Sequence, residues 1–246
     1  MTHARFFVPG ARERGERVRI EGGDAHHITD VLRLRAGDRI EVIDSTANAF
    51  VAELEGDGAE LVARLVETST PLPVERLRVD VAQALPKGAK MDLVVEKATE
   101  LGAAAIHPFT SERTIVRVAG DEKAARWNRI ARSAAEQSGR RRVPPVETPV
   151  SYAELLERFG RYDLVLFAWE STDRDPLRER LAQLLRGVRT VLVVIGPEGG
   201  FTHAEADAAR ARGASIISLG PRILRTETAA LALLAVLAYE SEGRTE

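Results

Sequence analysis

A chain of 246 residues, 44% apolar and 29% charged, has the profile of a globular protein with room for one large domain or two smaller ones. The absence of cysteine excludes disulfides, thiolate catalysis and Cys-based zinc sites. The five histidines (His3, His26, His27, His107 and His203) form no HxxxH or HExxH pair, so no metal site is expected. The formal net charge of −2 is unevenly spread. Residues 1–72 hold nine Arg and no Lys against thirteen acidic residues, whereas residues 113–142 hold nine basic against three acidic ones, a local patch able to hold a phosphate backbone.

Met1 to Gly15 carries four charged residues and no long apolar stretch, so no secretory signal is expected there. Short strands between turns follow: Arg5–Val8, Arg17–Ile20, Arg39–Ile43, Phe50–Leu54 and Glu60–Val66. The alternation from Arg39 to Asp44 suits a strand with one buried face, and His26 to Leu34 reads as one short helix. The pattern predicts a small β-barrel. Ser69–Pro73, with two prolines in three residues, reads as a linker. Beyond residue 77 strands and helices alternate. The expected strands are Leu77–Ala84, Ala104–Pro108, Leu164–Phe167, Val191–Ile195 and Ser215–Ser218. The expected helices are Met91–Leu101, Ala124–Ser138, Tyr152–Phe159, Leu177–Leu185, His203–Arg212 and Glu227–Ser241. Such alternation predicts an α/β domain whose parallel sheet is covered on both faces. The longest mainly apolar run, Ala229–Tyr239, is too short to span a bilayer, so a cytoplasmic protein without a membrane partner is expected. That run is apolar around its whole circumference and must be buried or lie in a subunit interface.

Chemistry concentrates near the C-terminus. The apolar run Val191–Ile195 leads into Gly196-Pro197-Glu198-Gly199-Gly200-Phe201, and Thr202 with Glu205 forms a capping box that opens a helix. A strand, a glycine-rich turn and a helix start make a ligand site at the carboxyl edge of a sheet. The turn has neither the GK[ST] of a P-loop nor a G-x-G-x-x-G. Glu198 in its middle would repel phosphate, which favours a cofactor without phosphates. A plain strand–helix turn is the alternative. The second element, Leu219-Gly220-Pro221-Arg222-Ile223-Leu224-Arg225-Thr226-Glu227-Thr228-Ala229, sets two arginines around two aliphatic residues, a mixture a structural loop rarely needs. Elsewhere structural roles compete with functional ones. Met91, Val94, Val95, Ala98 and Leu101 recur at helical spacing as core, Trp127 reads as a packing anchor, and Glu136 and Gln137 could serve buried backbone groups or substrate.

These two segments resemble the SPOUT-class methyltransferases and, within them, the ribosomal RNA small-subunit methyltransferase E family. Lys97-Ala98-Thr99-Glu100-Leu101-Gly102 and Ser133-Ala134-Ala135-Glu136-Gln137-Ser138-Gly139-Arg140 are similar to helix signatures of that family. Arg5-Phe6-Phe7, Val31-Leu32-Arg33 and Gly37-Asp38 are similar to its PUA-like domain. The resemblance covers nearly the whole chain. It implies a PUA-like RNA-binding β-barrel over residues 1–70 and a SPOUT-type α/β domain with a trefoil knot over residues 74–246. It also implies a homodimer, S-adenosylmethionine as cofactor, and methylation of uridine N3 in 16S ribosomal RNA within an assembled or nearly assembled small subunit. The cofactor is expected at Ala168, Glu170, Gly196, Glu198, Gly200, Leu219, Ile223, Leu224, Thr226 and Ala229. RNA is expected at Arg113, Glu136, Arg140 and Arg222, with Arg225 catalytic. The missing cysteine agrees with transfer to nitrogen, which needs no covalent adduct at uridine C6. The rivals are methylation of another atom, such as a ribose 2′-oxygen, and a non-catalytic RNA-binding protein.

Overall fold

The computed structural model describes residues 4–56, 61–69, 76–115, 121–170 and 177–242. The chain divides into two compact units: Met1–Val74 with Ala135–Arg142, and Glu75–Ala134 with Val143–Glu246. The linker expected at Ser69–Pro73 lies, apart from Ser69, outside the described residues.

In the first unit β1 (Arg5–Phe7), β2 (Arg17–Arg19), β3 (Arg39–Ile43), β4 (Ala49–Glu55) and β5 (Val62–Thr68) form one sheet in the order β1-β3-β4-β5-β2. The β1–β3 pair is parallel and the other pairs are antiparallel. β1 and β2 are the two edges, so the sheet is a half-barrel left open between them. One face packs Phe6, Ile28, Ile40, Val42, Phe50, Leu54 and Leu65 into a core, which is what the alternation of apolar residues along β3 and β4 requires. The helix expected at His26–Leu34 begins and ends earlier: α1 (Gly22–His26) continues as a π-helical turn over His27–Val31. The Leu32 N–H reaches back to the His27 carbonyl, and Arg33, at φ 56°, turns the chain out of the helix. Of residues 135–142, Arg141 pairs with Glu41 at 3.4 Å.

The second unit is built on β6 (Arg78–Ala84), β7 (Ala105–Thr110), β8 (Val150–Ser151), β9 (Leu164–Ala168), β10 (Thr190–Ile195) and β11 (Ser215–Ile217). Their order is β11-β9-β10-β6-β7-β8, and every pairing is parallel. The helices are α2 (Lys90–Glu100), α3 (Asp121–Ser138), α4 (Tyr152–Glu157), α5 (Leu177–Leu184), α6 (His203–Ala211) and α7 (Thr226–Glu242). Side chains alternate along β10. Val191 and Val193 join Val94, Ala98, Trp127, Leu181 and Leu234 on one face, while Leu192 and Val194 join Leu155, Phe167, Phe201 and Ala206 on the other. A strand buried on both faces must be apolar throughout, which is why β10 was readable as central. Only β8 escaped the pattern, being two residues long. α2 buries Met91, Val94, Val95 and Ala98 as expected and ends at Gly102, whose φ of 91° closes it. On its surface Lys97 is held by Glu100 and Glu96, each at 2.8 Å, and is pushed up to about 12 by hydrogen bonds to Glu100 and Glu96.

A polar cluster is centred on the buried Asp80 and His107 of this unit. Asp80 accepts from the Tyr162 hydroxyl at 2.8 Å and lies 3.3 Å from His107 Nε2, whose Nδ1 is 3.1 Å from Glu147. Arg158 also binds Glu147. Burial pushes the Asp80 carboxyl up, but His107, Tyr162 and Arg78 outweigh it and leave it below the usual range; Glu147 is likewise lowered, by His107 and Arg158 against burial. A depressed carboxyl stabilises the fold fully above its unfolded value and loses that contribution as pH falls through the folded one. Thermal stability is therefore expected to be flat near neutrality and to fall from about pH 4 downward. Asp80→Asn should lower the melting temperature at pH 7 and flatten that acid limb. Thermal melts from pH 7 to pH 3 check it; a variant with the wild-type acid slope would refute the assignment.

Candidate active site

A cavity of about 370 Å³ opens where β9, β10 and β11 end. The register sets Ile195 beside Ala168 and Gln83, and Ile217 beside Ala168, so three loops leave the sheet at one level. This is the carboxyl edge at which open parallel sheets bind ligands. The β10 strand runs into the turn at Pro197–Gly200, closed by the Gly200 N–H bonded to the Pro197 carbonyl at 2.9 Å. Thr202 and Glu205 then form the expected capping box. Glu205 is buried and also accepts from the Glu112 N–H at 2.9 Å, which ties the loop after β7 to the start of α6.

All ten residues expected to bind the cofactor line this cavity, as do Arg222 and Arg225. Both arginines are exposed, and among the described residues neither guanidinium makes a hydrogen bond or ion pair. Arg113 does not line the cavity; its Nη1 donates to the Gly199 carbonyl at 2.8 Å and so holds the glycine-rich turn from behind. Glu136 and Arg140 do not line it either and belong to the first unit.

Sequence reading missed Lys90. Its Nζ lies 2.8 Å from Glu198 and 3.6 Å from the buried Glu227, and the Lys87 N–H donates to the same Glu198 oxygen at 3.1 Å. Burial pushes the Glu198 carboxyl up, but the bonds from Lys90 and Lys87 outweigh it and keep it below the usual range; the bond to Glu198 raises Lys90. Glu198 is thus half of an ion pair. A second tie lies deeper. Gln83, fully buried on β6, donates to the Thr226 hydroxyl at 2.8 Å, which donates to the Gly196 carbonyl at 2.5 Å. Trp169 and Phe201 complete the inner wall; Trp169 Nε1 donates to the Phe201 carbonyl at 3.4 Å. None of these partners is near its mate in sequence, and no local pattern marks them.

The residues fit S-adenosylmethionine. The volume is in the range for a small ligand. Ala168, Leu219, Ile223 and Leu224 offer an apolar wall for a purine. Glu170, which makes no hydrogen bond among the described residues, offers a carboxylate to a cationic or hydroxyl-bearing group. No group of three His, Cys, Asp or Glu able to hold a metal exists among the described residues.

Comparison with known proteins agrees. A family model described as an RNA methyltransferase domain matches residues 73–238, and one described as an RNA methyltransferase PUA domain matches residues 20–65. Ribosomal RNA small subunit methyltransferase E of Bacillus subtilis is 34% identical over 252 residues, covering 97% of each chain. The chain belongs to the ribosomal RNA small subunit methyltransferase E family. Another member, from Synechocystis, is 37% identical over 219 residues, covering 89% of this chain and 71% of that one. The crystal structure of the Neisseria gonorrhoeae member bound to S-adenosyl methionine superposes with a TM-score of 0.86 at 32% identity, over 97% of this chain and 98% of that one. Within this methyltransferase E chain no described helix is long and apolar enough to cross a membrane.

Proposed function

We propose that this chain is the S-adenosylmethionine-dependent methyltransferase that acts on N3 of a specific uridine in 16S ribosomal RNA of the small subunit. The observation that carries the reading is the guanidinium of Arg225, unpaired among the described residues, at the cavity formed by the glycine-rich turn, in a chain without cysteine. The cofactor, held by the loops at Ala168–Glu170, Gly196–Gly200 and Leu219–Ala229, supplies an electrophilic methyl group. The chain's own residues do the remainder. N3 must lose its proton, and the charge spreads onto the two flanking carbonyl oxygens. Arg225, always charged and carrying several rigid donors, stabilises that anion and orients the ring. Arg113, Glu136, Arg140 and Arg222 contact the RNA. The PUA-like domain over residues 1–70 presents the substrate and residues 74–246 carry out the transfer, with the chain drawn through a trefoil knot around the cavity. The protein works in the cytoplasm.

Nucleoside mass mapping of 16S ribosomal RNA from a strain lacking the gene tests the reading. Loss of one N3-methyluridine, restored by the wild-type gene, supports it. Loss of a ribose 2′-O-methyl group instead would replace the target atom, and an unchanged profile would reduce the protein to an RNA-binding role.

The same reading includes a homodimer. α7 buries Ala230, Leu233, Leu234 and Leu237 but leaves Val236 43% and Tyr239 78% exposed; α2, which packs on α7, leaves Leu93 41% exposed. These apolar side chains, left exposed on two helices that pack together, are the surface assigned to the interface. Val236→Glu is expected to halve the mass seen by light scattering at micromolar concentration, and a monomeric wild type would refute the dimer.

A further inference from the structure

A second cavity, of about 250 Å³, lies beside the first turn of α2. Its floor is apolar, made by the buried side chains of Leu85, Met91 and Trp127. Its rim carries the exposed Lys123 and Arg126 of α3 together with the carboxylate of Asp92, a balance of one net positive charge. Lys123 makes no hydrogen bond or ion pair among the described residues. Arg126 is tied at one nitrogen to Asp92, which fixes the guanidinium at the rim and leaves its other N–H groups available. Both cations fall in the basic stretch 113–142.

Size and chemistry narrow the occupant. The volume is below that of pockets for drug-sized ligands, so it suits one base or sugar rather than a whole cofactor. An apolar floor under two cations matches an unpaired nucleotide, whose flat base wants an apolar seat and whose phosphate wants positive charge. Position points the same way. Residues 85–92 wall both cavities: Gly88, Ala89 and Asp92 line the second, while Lys90 lines the first and the Lys87 N–H holds Glu198 of the glycine-rich turn. The two cavities thus share this short segment as a wall, so a strand seated at one runs past the other.

We propose that this second cavity binds an unpaired nucleotide of the substrate RNA adjacent to the methylated one. Its base sits on the Leu85–Met91–Trp127 floor and its phosphate against Lys123 and Arg126. The inference rests on the reading of the protein as a ribosomal RNA methyltransferase. It assigns to α3 a role in choosing which nucleotide enters the active site, because a neighbour that cannot unstack into the cavity leaves the target out of reach.

The test uses the full chain, small-subunit particles lacking the modification, and two variants. Ala89→Trp fills the mouth of the second cavity without touching the core. Lys123→Ala removes the unpaired cation. KM for the RNA is expected to rise about tenfold in Ala89→Trp, as for the loss of one seated base. In Lys123→Ala the slope of log affinity against log salt should fall by about 0.7, the signature of one lost phosphate contact on a single strand. Affinity for S-adenosylhomocysteine, melting temperature and the mass by light scattering should match wild type in both. An active wild type with both variants indistinguishable from it overturns the inference alone. A changed mass also overturns it, by assigning the cavity to a contact between two copies. If the wild type transfers no methyl group to the RNA, the functional reading falls and this inference with it.

Discussion

Arg225→Ala is expected to lower turnover by about 10²–10³-fold, the loss seen when one donor to a developing anion is removed. Affinity for S-adenosylhomocysteine and the melting temperature should stay close to wild type. The structure separates this outcome from its rival, in which Arg225 holds the loop closed by pairing with Glu198 or Glu227. Neither pair exists: Lys90 sits between those two carboxylates, at 2.8 Å and 3.6 Å, and Arg225 is without a partner among the described residues. The loop is fixed one residue further on, where the Thr226 hydroxyl links Gln83 to the Gly196 carbonyl. Closure therefore does not depend on the guanidinium. The control is Lys90→Met, which leaves Glu198 and the buried Glu227 without their cation; it should weaken cofactor binding and lower the melting temperature together. Near-wild-type turnover in Arg225→Ala would remove the catalytic role. A joint loss of affinity and stability in that variant would return it to a structural one.

The contrast between Arg225 and Lys90 shows which parts of the site a sequence displays. The glycine-rich turn was legible because its conditions are local: an apolar strand, glycines that let a ligand approach, and a capping box four residues long. The loop carrying Arg222 and Arg225 was legible because two arginines flank two aliphatic residues where a turn needs neither. All ten expected cofactor residues come together at one cavity because all three segments that hold them follow strands of one parallel sheet. Lys90 carries no such mark. It sits in the first turn of an amphipathic helix, where a lysine reads as solvated surface, and its partners lie 108 and 137 positions away along the chain. Arg113 is a related case. A basic residue in a basic stretch reads as an RNA contact, and no local pattern shows that its side chain also donates to the Gly199 carbonyl behind the turn. The first unit shows a different limit. Its strands were visible in alternation, but nothing in residues 135–142 announces that they group with it, since α3 runs through that boundary as one unbroken helix.

Gly196→Ala is expected to weaken binding of S-adenosylhomocysteine at least tenfold and to lower the melting temperature, whereas Gly200→Ala should do less, although only Gly200 has a left-handed backbone. The reason is what each new Cβ would meet. At Gly200, φ 66°, the methyl group would run into the Glu170 carboxylate. That is the far end of an exposed, flexible side chain, which can swing aside, so the main cost is the backbone conformation, about 1–2 kcal/mol. At Gly196 the methyl group would lie 3.0 Å from the Phe201 ring. Phe201 is buried, its centroid is 4.1 Å from that of Phe167, and its carbonyl is held by Trp169. The ring cannot retreat, so the turn must move instead, and with it the Gly196 carbonyl that anchors Thr226. Overpacking of this kind costs about 1–3 kcal/mol, roughly 2–4 °C per kcal/mol for a domain of this size. The displacement falls on two of the three loops that line the cavity, so affinity suffers beyond the stability loss. Calorimetric titration and thermal melts of the two variants decide the order. Wild-type affinity in Gly196→Ala would mean that the cavity tolerates movement of the turn and that the cofactor is gripped elsewhere.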